Sequence, residues 1–253
     1  MNSEFSQMKS NYILFSIFLL VLSGCSQRIY QVSQTDFSDN TSVNSGLSED
    51  LAMKDFIEPY KKELQETMDK VISYTPVDLP KAGFNSPLAN LNCDMVLEES
   101  NLIYQQKHGQ KIDMCLLNWG GIRRTFTKGN LTVKNVYELM PFENEVVVVT
   151  LSGEKVREMI QFLSAAEFGH PISGIQFVPN DENSLLINGQ KFDPNRNYTV
   201  VTNDFLQKGG DQMKFFENPV STENLGIKQR DIMMRYFEKH DTIKVNLEQR
   251  ILK

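Results

Sequence analysis

Two loops in this sequence carry residue types that packing alone does not call for. The first reads Asn118-Trp119-Gly120-Gly121-Ile122-Arg123-Arg124 and ends the apolar run 113–119. Paired glycines let a backbone come close to a ligand. An amide and a guanidinium beside them donate several hydrogen bonds, and the guanidinium fork suits phosphate oxygens. The second reads Asn203-Asp204-Phe205-Leu206-Gln207-Lys208-Gly209-Gly210-Asp211. Its aromatic ring offers a face for stacking on a flat base, and its carboxylates accept from paired hydroxyls. Either loop alone reads as a plain turn, so any significance lies in the pair.

Composition narrows what such loops can serve. The chain has 253 residues, a formal net charge of −6 and 40% hydrophobic residues, which suits one globular domain with appendages. An acidic balance argues against a binder of nucleic-acid polymers that works by neutralising phosphates. Three histidines, His108, His170 and His240, stand apart from one another and cannot build a site of many imidazoles. Each reads as a surface or loop residue. The pair His240-Asp241 has no nucleophile motif nearby, so no catalytic dyad is assigned to it.

The elements that position the loops follow from periodicity. Met53, Phe56, Ile57, Tyr60, Leu64, Met68, Val71 and Ile72 recur at helical spacing. They predict an amphipathic helix over 49–72, capped by Ser48 and packed against the protein's own core. Pro59 predicts a kink there or a later helix start. A second helix is predicted over 87–106, a buried strand over 113–119, and a short helix capped by Thr132. The run 145–151, mostly β-branched, is the strongest strand signal. A helix over 154–166 follows, then strands at 175–178, 185–187 and 198–202, with Asn188-Gly189 as a hairpin turn. A helix over 224–239 and a strand-like stretch over 242–247 close the chain. The order of elements predicts a single α+β domain, layered, with a mixed β-sheet.

The N-terminus reads as an address. Lys9 precedes an apolar run within 11–24 that is too short to span a bilayer comfortably. Leu22-Ser23-Gly24-Cys25 resembles a lipobox, with Cys25 as the acylated first residue. The expected layout is a lipoprotein signal peptide at 1–24, a polar tether at 25–47, and one domain at 48–253. Ser26, where inner-membrane retention would call for Asp, points to the outer membrane. Cys93 and Cys115 either pair in an oxidising compartment or remain buried thiols, and their apolar surroundings favour the second.

Taken in order, four motifs resemble one family. They are Asn118-x-Gly-Gly-Ile-Arg123, Pro141-Phe142-x-Asn144, Leu151-Ser152-Gly153, and Asn203-Asp204-Phe205-x₃-Gly209-Gly210-Asp211. Together they resemble the C-terminal, substrate-binding domain of the 5′-nucleotidase family, over roughly residues 75–250. The resemblance implies a nucleoside or nucleotide site. In it Phe142 and Phe205 sandwich the base, Asp211 holds ribose hydroxyls, Asn118 and Arg123 contact the nucleotide, and Asn144 belongs to the same pocket. An arginine that family members carry near the start of the second helix has no counterpart in 84–90. Arg124 is the one candidate to substitute for it, although a solvated surface arginine is the preferred reading. The segment 168–171, placed before a strand, is read as a plain loop in preference to a border of the pocket.

Family members hydrolyse phosphate esters at a two-metal site in a separate metallophosphoesterase domain. Its Asp-x-His, Gly-Asn-His and Gly-His-x-His signatures are absent from this sequence. The expectation is therefore no catalytic or metal-binding residue and no cofactor in this chain. A divalent metal pair is expected in a separately encoded metallophosphoesterase subunit. On that reading the chain is one half of a split 5′-nucleotidase and does not hydrolyse phosphate esters alone. The alternatives are a stand-alone, non-catalytic nucleotide-binding lipoprotein and a scaffold that has lost its ligand.

Overall fold

The run Glu145–Ser152 forms the longest buried strand, β4, with Val146, Val147, Val148 and Val149 all buried. A strand covered on both faces has no polar side to show, which is why the sequence reads as a continuous β-branched run. A computed structural model describes residues 30–40, 42–44 and 46–253. The residues up to Asp50 and those from Leu51 to Lys253 separate into two units. The described residues before Leu51 contain no helix or strand. The predicted signal peptide and Cys25 lie outside the described residues.

In the larger unit, β4 lies second in a five-stranded sheet. Its partners are β2 (Met114–Leu116), β5 (Ile172–Ser173), β9 (Asn197–Asn203) and β10 (Ser221–Lys228), in the order β10-β4-β9-β2-β5. The β2–β9 pair is parallel and the others are antiparallel, so the sheet is mixed as expected. Two apolar clusters sandwich it. One face holds Val146, Val148, Val201 and Cys115 against the helices α2 (Pro87–His108), α3 (Val133–Leu139) and α6 (Gln229–Lys239). The other holds Val147, Val149, Leu151 and Val200 against α4 (Gly153–Ala165) and a three-stranded sheet. That sheet comprises β6 (Ile175–Val178), β7 (Asp181–Ile187) and β8 (Gln190–Lys191). Asn188 and Gly189 both have positive φ, the type I′ geometry that Asn-Gly favours. A ribbon of β1 (Val71–Thr75) and β3 (Gly129–Thr132) completes the fold.

Local chemistry fixes the helix ends. Ser86 caps α2 by accepting from the Ala89 amide, Pro87 opens the first turn, and Gly109 ends the helix at φ 68°. Thr132 caps α3 in a reciprocal box with Asn135. Cys93 and Cys115 are free and buried in the same cluster, and burial pushes the Cys115 thiol well above its usual range.

Four expectations change. The first helix, α1, runs Leu51–Met68, with Pro59 inside it, and none of its residues is buried. Its apolar face therefore does not cover the protein's own core. Val71 and Ile72, placed on that face by spacing, belong to β1 instead. Residues 224–228 form the end of β10, and the last helix starts only at Gln229. The stretch 242–247 forms no strand, although Ile243 is buried in the core. The Ile243 amide donates to the Tyr74 carbonyl on β1 at 3.0 Å, but no strand pairing develops from that bond.

Candidate functional site

The strand register explains why distant motifs meet. The parallel strands β2 and β9 align Cys115 with Val201, so both glycine-bearing loops leave the same edge of the sheet. In an open sheet the carboxyl ends of parallel strands are where ligand-holding loops gather. β4 runs antiparallel to β9 with Val146 opposite Asn203, so the turn at Pro141–Asn144 arrives at that edge too. β10 ends there as well, with Lys228 opposite Glu145.

A cavity of about 270 Å³ opens at this edge. Its lining includes Asn118, Arg123, Phe142, Asn144, Phe205 and Asp211, so the structure brings together all six residues singled out from the sequence. Gly120, Gly121, Met140 and Asn203 complete it. Phe142 and Phe205 keep 41% and 45% of their surface exposed, leaving ring faces open to a ligand. The Asn118 amide donates to the Asp211 carboxylate at 2.6 Å, which ties the two loops together. Arg123 lies 5.9 Å from the centre of the Phe142 ring. Asp211 has φ 50°, a left-handed conformation that a residue with a short polar side chain tolerates. A Cβ on Gly210 would come within 2.6 Å of the Phe205 ring and carbonyl oxygen, so only glycine lets Phe205 lie where it does.

Several residues behind the cavity were not legible in the sequence. His170 lies in a loop, one of the two roles expected of it, but it is buried and not on the surface. Its Nδ1 accepts from the Trp119 amide at 3.2 Å, holding the first loop. Burial lowers its pKa to about 4, against the raising influence of the Asp211 carboxylate. Phe168 stacks on Trp119 at 5.4 Å, so 168–171 supports the site loop and is more than a connection. Lys81 donates to the Ile122 carbonyl at 2.9 Å and sits over the Trp119 ring. Burial, then the neighbouring Arg123, lowers its pKa. Arg124 pairs with Glu138 at the surface. Lys81 and His170 are isolated in sequence from the motifs they support, and no spacing pattern marks them.

Among the described residues no group of three or more His, Cys, Asp or Glu side chains is arranged to hold a metal. His108 pairs with Glu223 and His240 bonds to the Tyr236 carbonyl. What the cavity offers is two aromatic faces, a carboxylate, amides and a guanidinium.

Mixed sheet, two covering layers and this cavity define an α+β domain with a pocket of small-molecule size. A profile of the 5′-nucleotidase C-terminal domain matches residues 71–218, and the chain belongs to that family. Protein UshA of Escherichia coli is 30% identical over 144 residues, covering 53% of this chain and 26% of UshA. A 5′-nucleotidase of Vibrio cholerae is 23% identical over 256 residues, covering 97% and 42% of the two chains. The structure of a 5′-nucleotidase precursor from Thermus thermophilus matches with TM-score 0.64 and 26% identity, covering 80% of this chain and 43% of that one. The Haemophilus influenzae NAD nucleotidase shares the fold at TM-score 0.58 and 18% identity, covering 80% and 41%. This chain spans less than half the length of each of these relatives.

Proposed function

We propose that this protein binds a nucleoside or nucleotide and serves as the substrate-holding half of a split 5′-nucleotidase. One observation carries the reading: six side chains from three separate segments line one cavity at one edge of the sheet. Phe142 and Phe205 take the base by stacking. Asp211 accepts from the ribose hydroxyls, with Asn118 holding its other oxygen. Arg123 takes an anionic group, and Asn144 lines the same pocket. The family membership and the nucleotidases among the relatives support this assignment. A separately encoded metallophosphoesterase supplies the divalent metal pair and the hydrolytic chemistry. A lipid on Cys25 tethers the exported protein, with the outer membrane as its site.

Calorimetric titration of the full chain with adenosine and AMP tests the site. Binding should be seen, and Phe205→Ala and Asp211→Ala should each weaken it about tenfold or more, the scale of a lost stacking or charge-assisted contact. Unchanged affinity in both variants refutes the assignment. AMP hydrolysis with Mn²⁺ then tests the split enzyme, using this protein, the metallophosphoesterase, and both. A mixture no faster than the metallophosphoesterase alone removes the split-enzyme reading. The same pocket also supports a second reading, a nucleotide-binding lipoprotein that acts without an enzymatic partner.

A further inference from the structure

The two aromatic rims of the cavity sit on different elements. Phe142 belongs to the turn before β4. Phe205 belongs to the short helix α5 (Asp204–Gln207), which begins where β9 ends. Their separation must be held by something that touches both. Asp204, at the start of α5, accepts from the Glu145 amide at 3.1 Å, an exposed tie between the two. A second, buried tie runs through one residue at the carboxyl end of β10, Gln229. The Gln229 amide donates to the Asn144 carbonyl at 2.9 Å, fixing the turn that carries Phe142. The Gln229 side-chain Oε1 accepts from Asn203 Nδ2 at 3.0 Å, and both residues are only 1% exposed.

Asn203 is already committed at its other end. Its Oδ1 accepts from the Leu206 amide at 3.0 Å and caps the helix bearing Phe205. An amide whose oxygen is fixed must aim its nitrogen at an acceptor, and in this buried position Gln229 Oε1 supplies it. The next residue reinforces the turn. The buried Arg230 guanidinium donates to the Phe142 carbonyl at 3.4 Å and to the Glu143 carboxylate, and lies over the Tyr137 ring. Gln229 Nε2 has no partner among the described residues. A buried donor left unpaired is costly, and an apolar side chain of the same length would avoid it. The cost is explained if the position is needed for its acceptor.

We infer that Gln229 is a positioning residue that braces the Phe142 turn against the Phe205 helix and sets the gap into which the ligand's base slides. The ligand class rests on the nucleoside reading above, whereas the brace itself does not.

The test compares the unmutated full chain with Gln229→Met, which keeps length and loses the acceptor, and Gln229→Glu, which keeps an acceptor oxygen. Amide hydrogen exchange at Leu206 reads the brace without ligand, and adenosine titration reads its effect on the site. In Gln229→Met, Leu206 should exchange about tenfold faster, with β4 and β9 still protected, and adenosine affinity should fall about tenfold. Gln229→Glu should restore both. Unchanged Leu206 exchange in Gln229→Met overturns the inference. So does protection lost along β4 and β9 together, which marks general destabilisation, or adenosine affinity that stays constant while Leu206 exchange quickens. If the unmutated protein binds no adenosine, the nucleoside reading fails, and Leu206 exchange alone decides the brace.

Discussion

At the scale of single residues, the site depends on groups whose own surroundings fix them. His170 accepts from the Trp119 amide only while its ring is neutral, and burial keeps it so down to about pH 4. Its ordinary value in an unfolded chain is about 6.5. The unfolded chain therefore takes up a proton that the native state refuses as pH falls from about 6.5 to about 4. By linkage, this group's contribution is fully present above that window and is lost as pH drops through it. The loss should approach roughly 3 kcal/mol at about 1.4 kcal/mol per pH unit. Urea unfolding of His170→Gln, which accepts a hydrogen bond but does not titrate, should show a shallower decline between pH 7 and pH 4 than the unmutated protein. Identical pH profiles would exclude His170 as the source.

At the scale of elements, α1 differs from the other long helices. It runs for 18 residues, has Pro59 in its interior and buries none of its side chains. A proline inside a helix removes one hydrogen bond and strains the turn before it, costing about 3 kcal/mol. An element that buries nothing passes little of its own stability to the core. Pro59→Ala should therefore raise the helical circular-dichroism signal and slow amide exchange in residues 51–58, while the global melting temperature moves by less than about 2 °C. A melting temperature raised by several degrees would show instead that α1 unfolds together with the core. By contrast, α2 has ten buried residues and both ends capped, and its bounds lie within two residues of those predicted.

At the scale of the whole molecule, the chain's last residues tie its layers together. Arg250, with 5% of its side chain exposed, pairs through two oxygens with Asp94 on α2, at 2.7 and 2.8 Å. It also donates to the carbonyls of Asn90 and, on β5, Ile172. Ile251 bridges to Phe177, and Asn85 bonds to the backbone of both Arg250 and Ile251. Truncating one partner of a largely buried ion pair leaves the other uncompensated. Arg250→Ala should lower unfolding free energy by about 3 kcal/mol in urea titrations, while Arg124→Ala at the surface should cost less than about 1. Equal costs for the two would contradict the anchoring role.

The sequence by itself determined what depends on neighbours along the chain. The β-branched run of β4, the caps at Ser86 and Thr132 and the Asn188-Gly189 turn are each set by a few adjacent residues. The six cavity residues were legible because they sit inside motifs whose order matches a family. Only the tertiary structure decided what depends on partners far away in sequence. It drew the residues at 118–123, 142–144 and 203–211 to one edge through strand register, and it placed His170 and Gln229 behind them. It also left the apolar face of α1 exposed. Helical spacing shows that a face is apolar, but whether that face is covered depends on surfaces contributed by other parts of a fold or by other molecules, and periodicity carries no information about those.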